Sequence, residues 1–322
     1  MLHRTRLLAL IAALALAAVP GGGMPAFAQS AAPLIRVGAG PDDPSVPLVY
    51  AAHEGLFAKA GLNVELERLA GATAVAAAIS GGSLEIGKGA TLSVVTAIAK
   101  GLPFTIIGNM STYRATNPDI ALIVLKNSPI KTAKDLVGKT LAAVSLQDQN
   151  SIATFAWLAQ QGVDWSTLKY TEIPASAALA AMEQDRIVGS TVYEPVLSAD
   201  LATDKVRIVG YPYDAIGKQF SDAVLFANPK WVNEHRDIVT RFLQVVEDAS
   251  QYVKTHESEM TQLTAEFGGV DPAKLANIRH TGRGVKIAPG DIQPIIDAAV
   301  KYKTIPKPLE AKDLICDCAL RK

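Results

Sequence analysis

The sequence predicts an α/β protein of two lobes with a ligand cleft between them. Three observations carry that prediction. Short apolar runs alternate with helical-period segments, and polar stretches near residues 109–119 and 201–205 divide the alternation into blocks. About 294 residues beyond an N-terminal leader suit two compact lobes better than one large core. Each lobe is expected to hold a mixed, mostly parallel sheet flanked by helices. The expected division is residues 29–115 for the first part of lobe I, 116–203 for lobe II, and 204–322 for the return to lobe I with the C-terminal helices.

The leader is residues 1–28. Arg4 and Arg6 precede the apolar run 7–19, followed by Pro20, glycines and Ala26-Phe27-Ala28. That order is the pattern of a secretory signal peptide cleaved after Ala28, and it places the mature chain outside the cytoplasm. The apolar run is too short to span a bilayer. Without Arg4 and Arg6 the chain has 29 basic and 31 acidic residues, a net of −2, so nothing draws it to nucleic acid or anionic lipid. Cys316 and Cys318 are the only cysteines, and a bridge between them closes almost no loop. The five His residues are scattered, and no Gly-x-Ser-x-Gly, His-Glu-x-x-His or P-loop is present. No cofactor, metal or catalytic residue is expected.

The first folded unit is residues 34–67. Leu34, Ile35 and Val37 make a strand, residues 38–45 a Gly/Pro/Asp loop, and Leu48, Val49, Ala52, Leu56 and Ala60 one helical face closed by Gly61. Residues 63–67 alternate as a second strand, so a parallel crossover is the economical topology, and a ligand would meet the loop at residues 40–45. A small-residue helix 74–80, a strand 84–86, a Gly-Lys-Gly turn 87–91, a helix 92–100 and a strand 104–107 complete the first block. Residues 109–119 are polar without helical period and read as the first crossing.

Lobe II is expected to hold strands 121–125, 140–144, 169–173 and 187–192 with helices 151–161 and 175–182. The polar loop 145–150 opens the first of these helices, whose free N–H groups suit an anion or a carbonyl. The return begins near 201–205, with strands 206–209 and 223–227, then helices over 236–252 and 289–302. Asp271-Pro272 reads as the N-cap and N1 of a short helix.

Several segments in this order resemble the periplasmic substrate-binding proteins of ABC importers in the nitrate, sulfonate, taurine and pyrimidine-precursor group, the NMT1/THI5-like family. They are AHEGLF at 52–57, AGLNV at 60–64, ISGGSLEIG at 79–87, SPIK at 128–131, DLVGK at 135–139 and Glu194-Pro195. The resemblance spans residues 34–315. It implies the two-lobe periplasmic binding protein fold of type II, a monomer, a small-molecule ligand, and an ABC permease at the inner membrane as partner. One departure is Gln184-Asp185-Arg186-Ile187-Val188-Gly189-Ser190, where the family has a Gly-x-Val-Asp-Ala-like strand. Another is that the thiamine-precursor synthases sharing the fold carry a cysteine cluster beside a His, which this chain lacks.

The candidate ligand residues follow the strand ends and crossings. Asp42, Asp43 and Ser45 lie in the first loop, where Asp43 either contacts ligand or N-caps a helix with Pro44 at N1. Thr73, Lys88 and Thr91 follow strand ends, and Lys88 suits an anionic group, a cross-lobe ion pair or plain solvent. Tyr113 and Arg114 on the first crossing, with Tyr193 and Glu194 before the second, offer rings to stack and a guanidinium to fork a carboxylate or sulfonate. The alternative for Arg114 is a hinge ion pair to Glu194 or Asp119. Gln149 and Asn150 stand at a helix start, as neutral ligand contacts or caps. Tyr211 and Tyr213 read as packing around Pro212.

The expected function is capture of a small solute by lobe closure and delivery to a permease. Lys88 and Arg114 favour a sulfonate, nitrate or carboxylate; Asp42, Asp43 and Glu194 favour a nitrogen heterocycle such as a pyrimidine. A sensor subunit presenting its ligand to a membrane kinase is the other partner class, and an enzyme on the same fold the least favoured reading.

Overall fold

In the computed structural model, the opening residues form the expected crossover, with one change. β1 (Leu34–Ala39) runs parallel to β2 (Asn63–Arg68) in a register that pairs Leu34 with Asn63 and Ala39 with Arg68. The single helix read between them is two, α1 (Val46–His53) and α2 (Leu56–Lys59), because Gly55 takes the left-handed conformation at φ 63° and turns the chain. The structure describes residues 32–319 other than 70, 146, 147, 270 and 276. The leader expected over residues 1–28 lies outside the described residues.

Lobe I continues with α3 (Ala72–Ser80), β3 (Ile86–Ala90), α4 (Thr91–Ala99) and β4 (Thr105–Arg114). The Gly-Lys-Gly stretch read as a turn is the body of β3. A Cβ at Gly87 would sit 2.2 Å from Val75 Cγ1, so glycine is what lets α3 lie on the strand. β4 also departs from the reading: residues 109–114, taken as a crossing, are its second half. Their polar side chains are accommodated inside the sheet, where Ser221 Oγ donates to Asn109 Oδ1 at 2.5 Å and Asn109 Nδ2 donates to Gly284 O at 2.7 Å. Periodicity alone gives no sign of such satisfied buried polar groups.

Lobe II holds β5 (Ile120–Leu125), β6 (Thr140–Ala143), α5 (Gln149–Gln160), β7 (Lys169–Glu172), α6 (Ala178–Glu183), β8 (Gly189–Tyr193), α7 (Val196–Ala202) and β9 (Val206–Gly210). The return is β10 (Gln219–Ala227), then α8 (Pro229–Glu234), α9 (Arg236–Thr255), α10 (Met260–Gly268), α11 (Pro289–Lys301) and α12 (Ala311–Leu314). Among the described residues these strands form two five-stranded sheets, β2-β1-β3-β10-β4 and β7-β6-β8-β5-β9. In each, one strand runs against the other four: β10 in the first and β5 in the second. Those are the strands that enter a sheet directly after a crossing.

The second crossing lies later than the expected boundary at residue 204. β9 pairs antiparallel with β5, Leu125 opposite Val206, and so belongs to lobe II; the chain returns between residues 211 and 218. The polar stretch 201–205 that suggests the earlier boundary is the end of α7 and a surface turn.

Apolar burial organises lobe I around Val37, Ile86, Ile106 and Phe226, all fully enclosed. α9 covers this sheet with a buried stripe of Ile238, Val239, Phe242, Val246, Ala249 and Val253 at helical spacing, and Phe242 stacks on Phe57 at 5.2 Å. Ile152, Ala153 and Ala156 of α5 join the same core, while Phe155 and Trp165 meet Tyr302 at the end of α11. Lobe II is therefore seated on lobe I along α5. Cys316 and Cys318 are bonded to each other, and Cys316 N donates to Ile106 O at 2.8 Å, tying the C-terminal segment to β4. No helix of the described residues is long and apolar enough to cross a membrane.

Candidate functional site

A cleft of about 440 Å3 opens between the lobes. Lobe I supplies the loop after β1, Lys88 and Ala90 of β3, and Asp222 of β10; lobe II supplies Asp148, Gln149 and Asn150 at the start of α5 and Tyr193 with Glu194 at the end of β8. Strand ends and helix starts converge there because the carboxyl ends of parallel strands face the crossings.

The loop after β1 is held by two different carboxylates. Asp42 accepts from Ser45 Oγ at 2.8 Å and forms an ion pair with Lys88. Asp43 is neither a helix cap nor a free ligand acceptor. Its buried carboxylate takes Arg283 Nη2 at 2.6 Å, Thr281 N at 3.0 Å and His280 Nδ1 at 2.8 Å, tying the cleft loop to the segment before α11. Burial pushes its pKa up, but Arg283 and His280 outweigh burial and hold it at about 2.

At the lobe II wall the N-cap of α5 is Asp148, whose Oδ1 accepts Ser151 N at 2.7 Å and Ser151 Oγ at 2.8 Å. Gln149 and Asn150 are thereby free for other partners. Gln149 Oε1 accepts Leu92 N of lobe I at 3.0 Å, and its Nε2 donates to Tyr213 Oη and Asp222 O at 3.1 and 3.2 Å. Tyr213 Oη donates to Asn150 Oδ1 at 2.8 Å. Gln149 is thus a cross-lobe bolt, and Tyr213, read as packing, lines the cleft.

Tyr193 is 37 % exposed and presents its ring to the cleft, with Val144 beside it. Glu194 is buried at the wall and accepts Ser198 N and Oγ at 3.1 and 2.8 Å; burial raises its pKa despite those bonds.

Of the twelve candidates, Asp42, Asp43, Lys88, Gln149, Asn150, Tyr193 and Glu194 line the cleft. Five do not. Ser45 is buried under the loop against Asp42. Thr73 is exposed on α3, one position beyond the lining Ala72. Thr91 is buried and donates to Ser221 O at 2.8 Å. Tyr113 is buried and donates to Asp214 Oδ1 at 2.8 Å, because the extension of β4 carries it into the lobe I sheet. Arg114 ends β4 on the outer surface, packed over Gly282, and makes no ion pair with Glu194 or Asp119.

Asp119, Asp148 and Asp222 were missed as lining residues. Asp119 immediately precedes the wholly apolar run of β5, and Asp222 immediately precedes the apolar run 223–227 of β10; a lone carboxylate at the head of such a run is a signal of a buried acid with a task. Burial raises both, Asp119 well above the usual range, where the Asp222 carboxylate adds to the shift, and Asp222 to about 6. Among the described residues the cleft thus presents six carboxylates and one lysine, and Asp119, Asp148, Glu194 and Asp222 enter no ion pair.

The model of the NMT1/THI5 like family matches residues 44–260. A Bacillus subtilis protein named for aliphatic-sulfonate binding is 24 % identical over 86 % of this chain and 84 % of its own. A Legionella pneumophila protein named 4-amino-5-hydroxymethyl-2-methylpyrimidine phosphate synthase is 23 % identical over 68 % of each chain. The crystal structure of the periplasmic aliphatic sulphonate binding protein SsuA from Escherichia coli superposes with a TM-score of 0.77, covering 90 % of this chain and 94 % of that one at 18 % identity.

Proposed function

The chain belongs to the NMT1/THI5-like family, and we propose that within it this protein is the solute-capturing component of an ABC importer. It takes a small solute into the cleft in the periplasm, holds it between the lobes, and presents the closed form to a permease. The observation that carries this reading is Gln149. A side chain from the start of α5 in lobe II bonds the backbone of Leu92 in lobe I at the edge of a cleft lined by both lobes. The bond belongs to the seat that α5 makes on the lobe I core, about which the outer walls of the cleft can close, so a solute that favours the closed arrangement shifts the population toward it.

The cleft volume suits a small organic molecule, and its walls combine apolar surface with a few fixed polar groups. In this reading the solute is released unchanged. Support comes from the binding-protein names among the relatives and from the shared two-lobe fold. Aliphatic sulfonates and pyrimidines are the first solutes to test by those names.

The test is X-ray scattering and thermal unfolding of the purified protein with sulfonates, nitrate, carboxylates, pyrimidines and amines, after bound solute is removed by denaturing and refolding. Expected is contraction of the molecule with at least one solute, together with a raised melting temperature; a hundredfold excess over Kd adds about 2.7 kcal/mol. Absence of contraction with every class would overturn the receptor reading.

A further inference from the structure

We propose that the solute is a small organic cation bearing N–H donors, an ammonium or amidinium, whose charged end is held by Asp119 and Asp222. This rests on the receptor reading above and names the ligand class of its site. The charges of the cleft are already partly matched: Lys88 with Asp42, Arg283 with Asp43. What is left is negative. Asp119 and Asp222 are more than nine-tenths buried, both line the cleft, and the Oδ1 atom of each has no hydrogen-bond partner. Buried carboxylate oxygens without a donor are costly, and a ligand with charged N–H groups supplies what they lack. Tyr193, on the strand next to Asp119, and Val144 expose apolar surface to the same cleft, which suits the uncharged body of such a molecule and a ring face over its charge.

An anion has a harder entry. Arg114 is on the outer surface and Lys88 is already in an ion pair, so a sulfonate would lie among carboxylates with no free Lys or Arg lining the cleft among the described residues. It could be accommodated only if the acids were protonated and donated hydrogen bonds. The two cases have opposite pH dependence. Asp222 feels the Ser111 hydroxyl, which favours its charged form, and Lys88, Asp42, Asp119 and Tyr213; Asp119 feels Asp222, Asp43 and Glu194. A cation drives protons off this pair, whereas an anion needs them on.

The experiment is titration calorimetry of the purified protein with benzamidine and benzylamine, against benzoate, benzenesulfonate and benzamide as isosteres of other charge. Expected is binding of a cation at least tenfold tighter than its anionic isostere. Its affinity should rise about tenfold from pH 5 to pH 7, the change expected for release of one proton from a group near pH 6, with proton release measured in buffers of different ionisation enthalpy. Asp222→Asn and Asp119→Asn should each weaken that binding at least tenfold while melting no lower than the parent. Tighter binding of an anion, or affinity that falls as pH rises, overturns the cation assignment and leaves the receptor reading standing. Failure of every cation to bind the folded protein, or retention of cation binding in both variants, overturns it as well. The receptor reading is then decided separately by lobe contraction with the wider solute set.

Discussion

Arg283 Nη2 lies 2.6 Å from Asp43 Oδ1, and both side chains are at most 2 % exposed, 240 residues apart in the chain. This pair fixes the loop that forms one lip of the cleft to the segment leading into α11. Asp43→Asn leaves buried Arg283 with only the more distant Glu257 at 3.9 Å and should cost about 3–5 kcal/mol in urea unfolding. The acid limb tests the same pair. Asp43 is held at about 2, below its unfolded value of 3.8, so its contribution is present above about pH 4 and is lost as pH falls toward 2. The variant should show a flatter loss of stability over that window.

Asp222 has the opposite sign. Its folded pKa is raised to about 6, chiefly by burial, so the stability linked to it is fully present below the unfolded value of 3.8 and is lost as pH rises through 6. Asp42 and Asp119 add to the effect, Lys88 opposes it, and Tyr213 is the remaining titratable neighbour. Asp222→Asn should therefore be more stable than the parent at pH 8, by roughly 2 kcal/mol, with the difference shrinking toward pH 4. Denaturant midpoints at pH 4, 6 and 8 check this; an unstable variant at pH 8 would contradict it.

Gln149 bridges the lobes through Leu92 N, Tyr213 and Asp222 O. Gln149→Ala should loosen the seat of α5 on lobe I and weaken solute binding by about 1–3 kcal/mol, since buried partners lose their bonds. Scattering should show a larger radius for the variant at the same solute concentration.

Arg114 and Tyr193 should behave in opposite ways. Arg114 lies outside the cleft, so Arg114→Ala should leave affinity within about twofold, less than 0.5 kcal/mol. Tyr193→Ala removes a ring that lines the cleft and should weaken binding by about 1–2 kcal/mol. Equilibrium titration of the two variants side by side separates them.

Much of the site was legible because it follows strand ends. Asp42, Gln149 and Tyr193 each stand just past or at the end of a strand or at the start of a helix, and alternating patterns locate those ends to within a few residues, whereas Lys88, read at a turn, lies in the body of β3 and still lines the cleft. Tyr113 and Arg114 failed for one reason. β4 runs six residues further than its apolar core, since Asn109, Ser111 and Thr112 are paired to β10 and to residues 282–285, so both residues end in the sheet and not on a crossing. The same kind of error moved the second crossing, where β9 pairs with β5 across 80 residues of sequence.

The sequence by itself determined the α/β class, the two lobes and the family, because hydrophobic period, glycine caps and short ordered motifs are local properties of the chain. It also placed acidic and aromatic residues at the cleft. Only the tertiary structure decided how charge is shared there. Asp43 meets Arg283 and Asp42 meets Lys88, while Asp119 and Asp222 are brought to the same cleft without an ion pair of their own. Those pairings join residues from 46 to 240 positions apart, and the Coulomb energy that selects among them depends on distance and burial, which exist only after the sheets have formed.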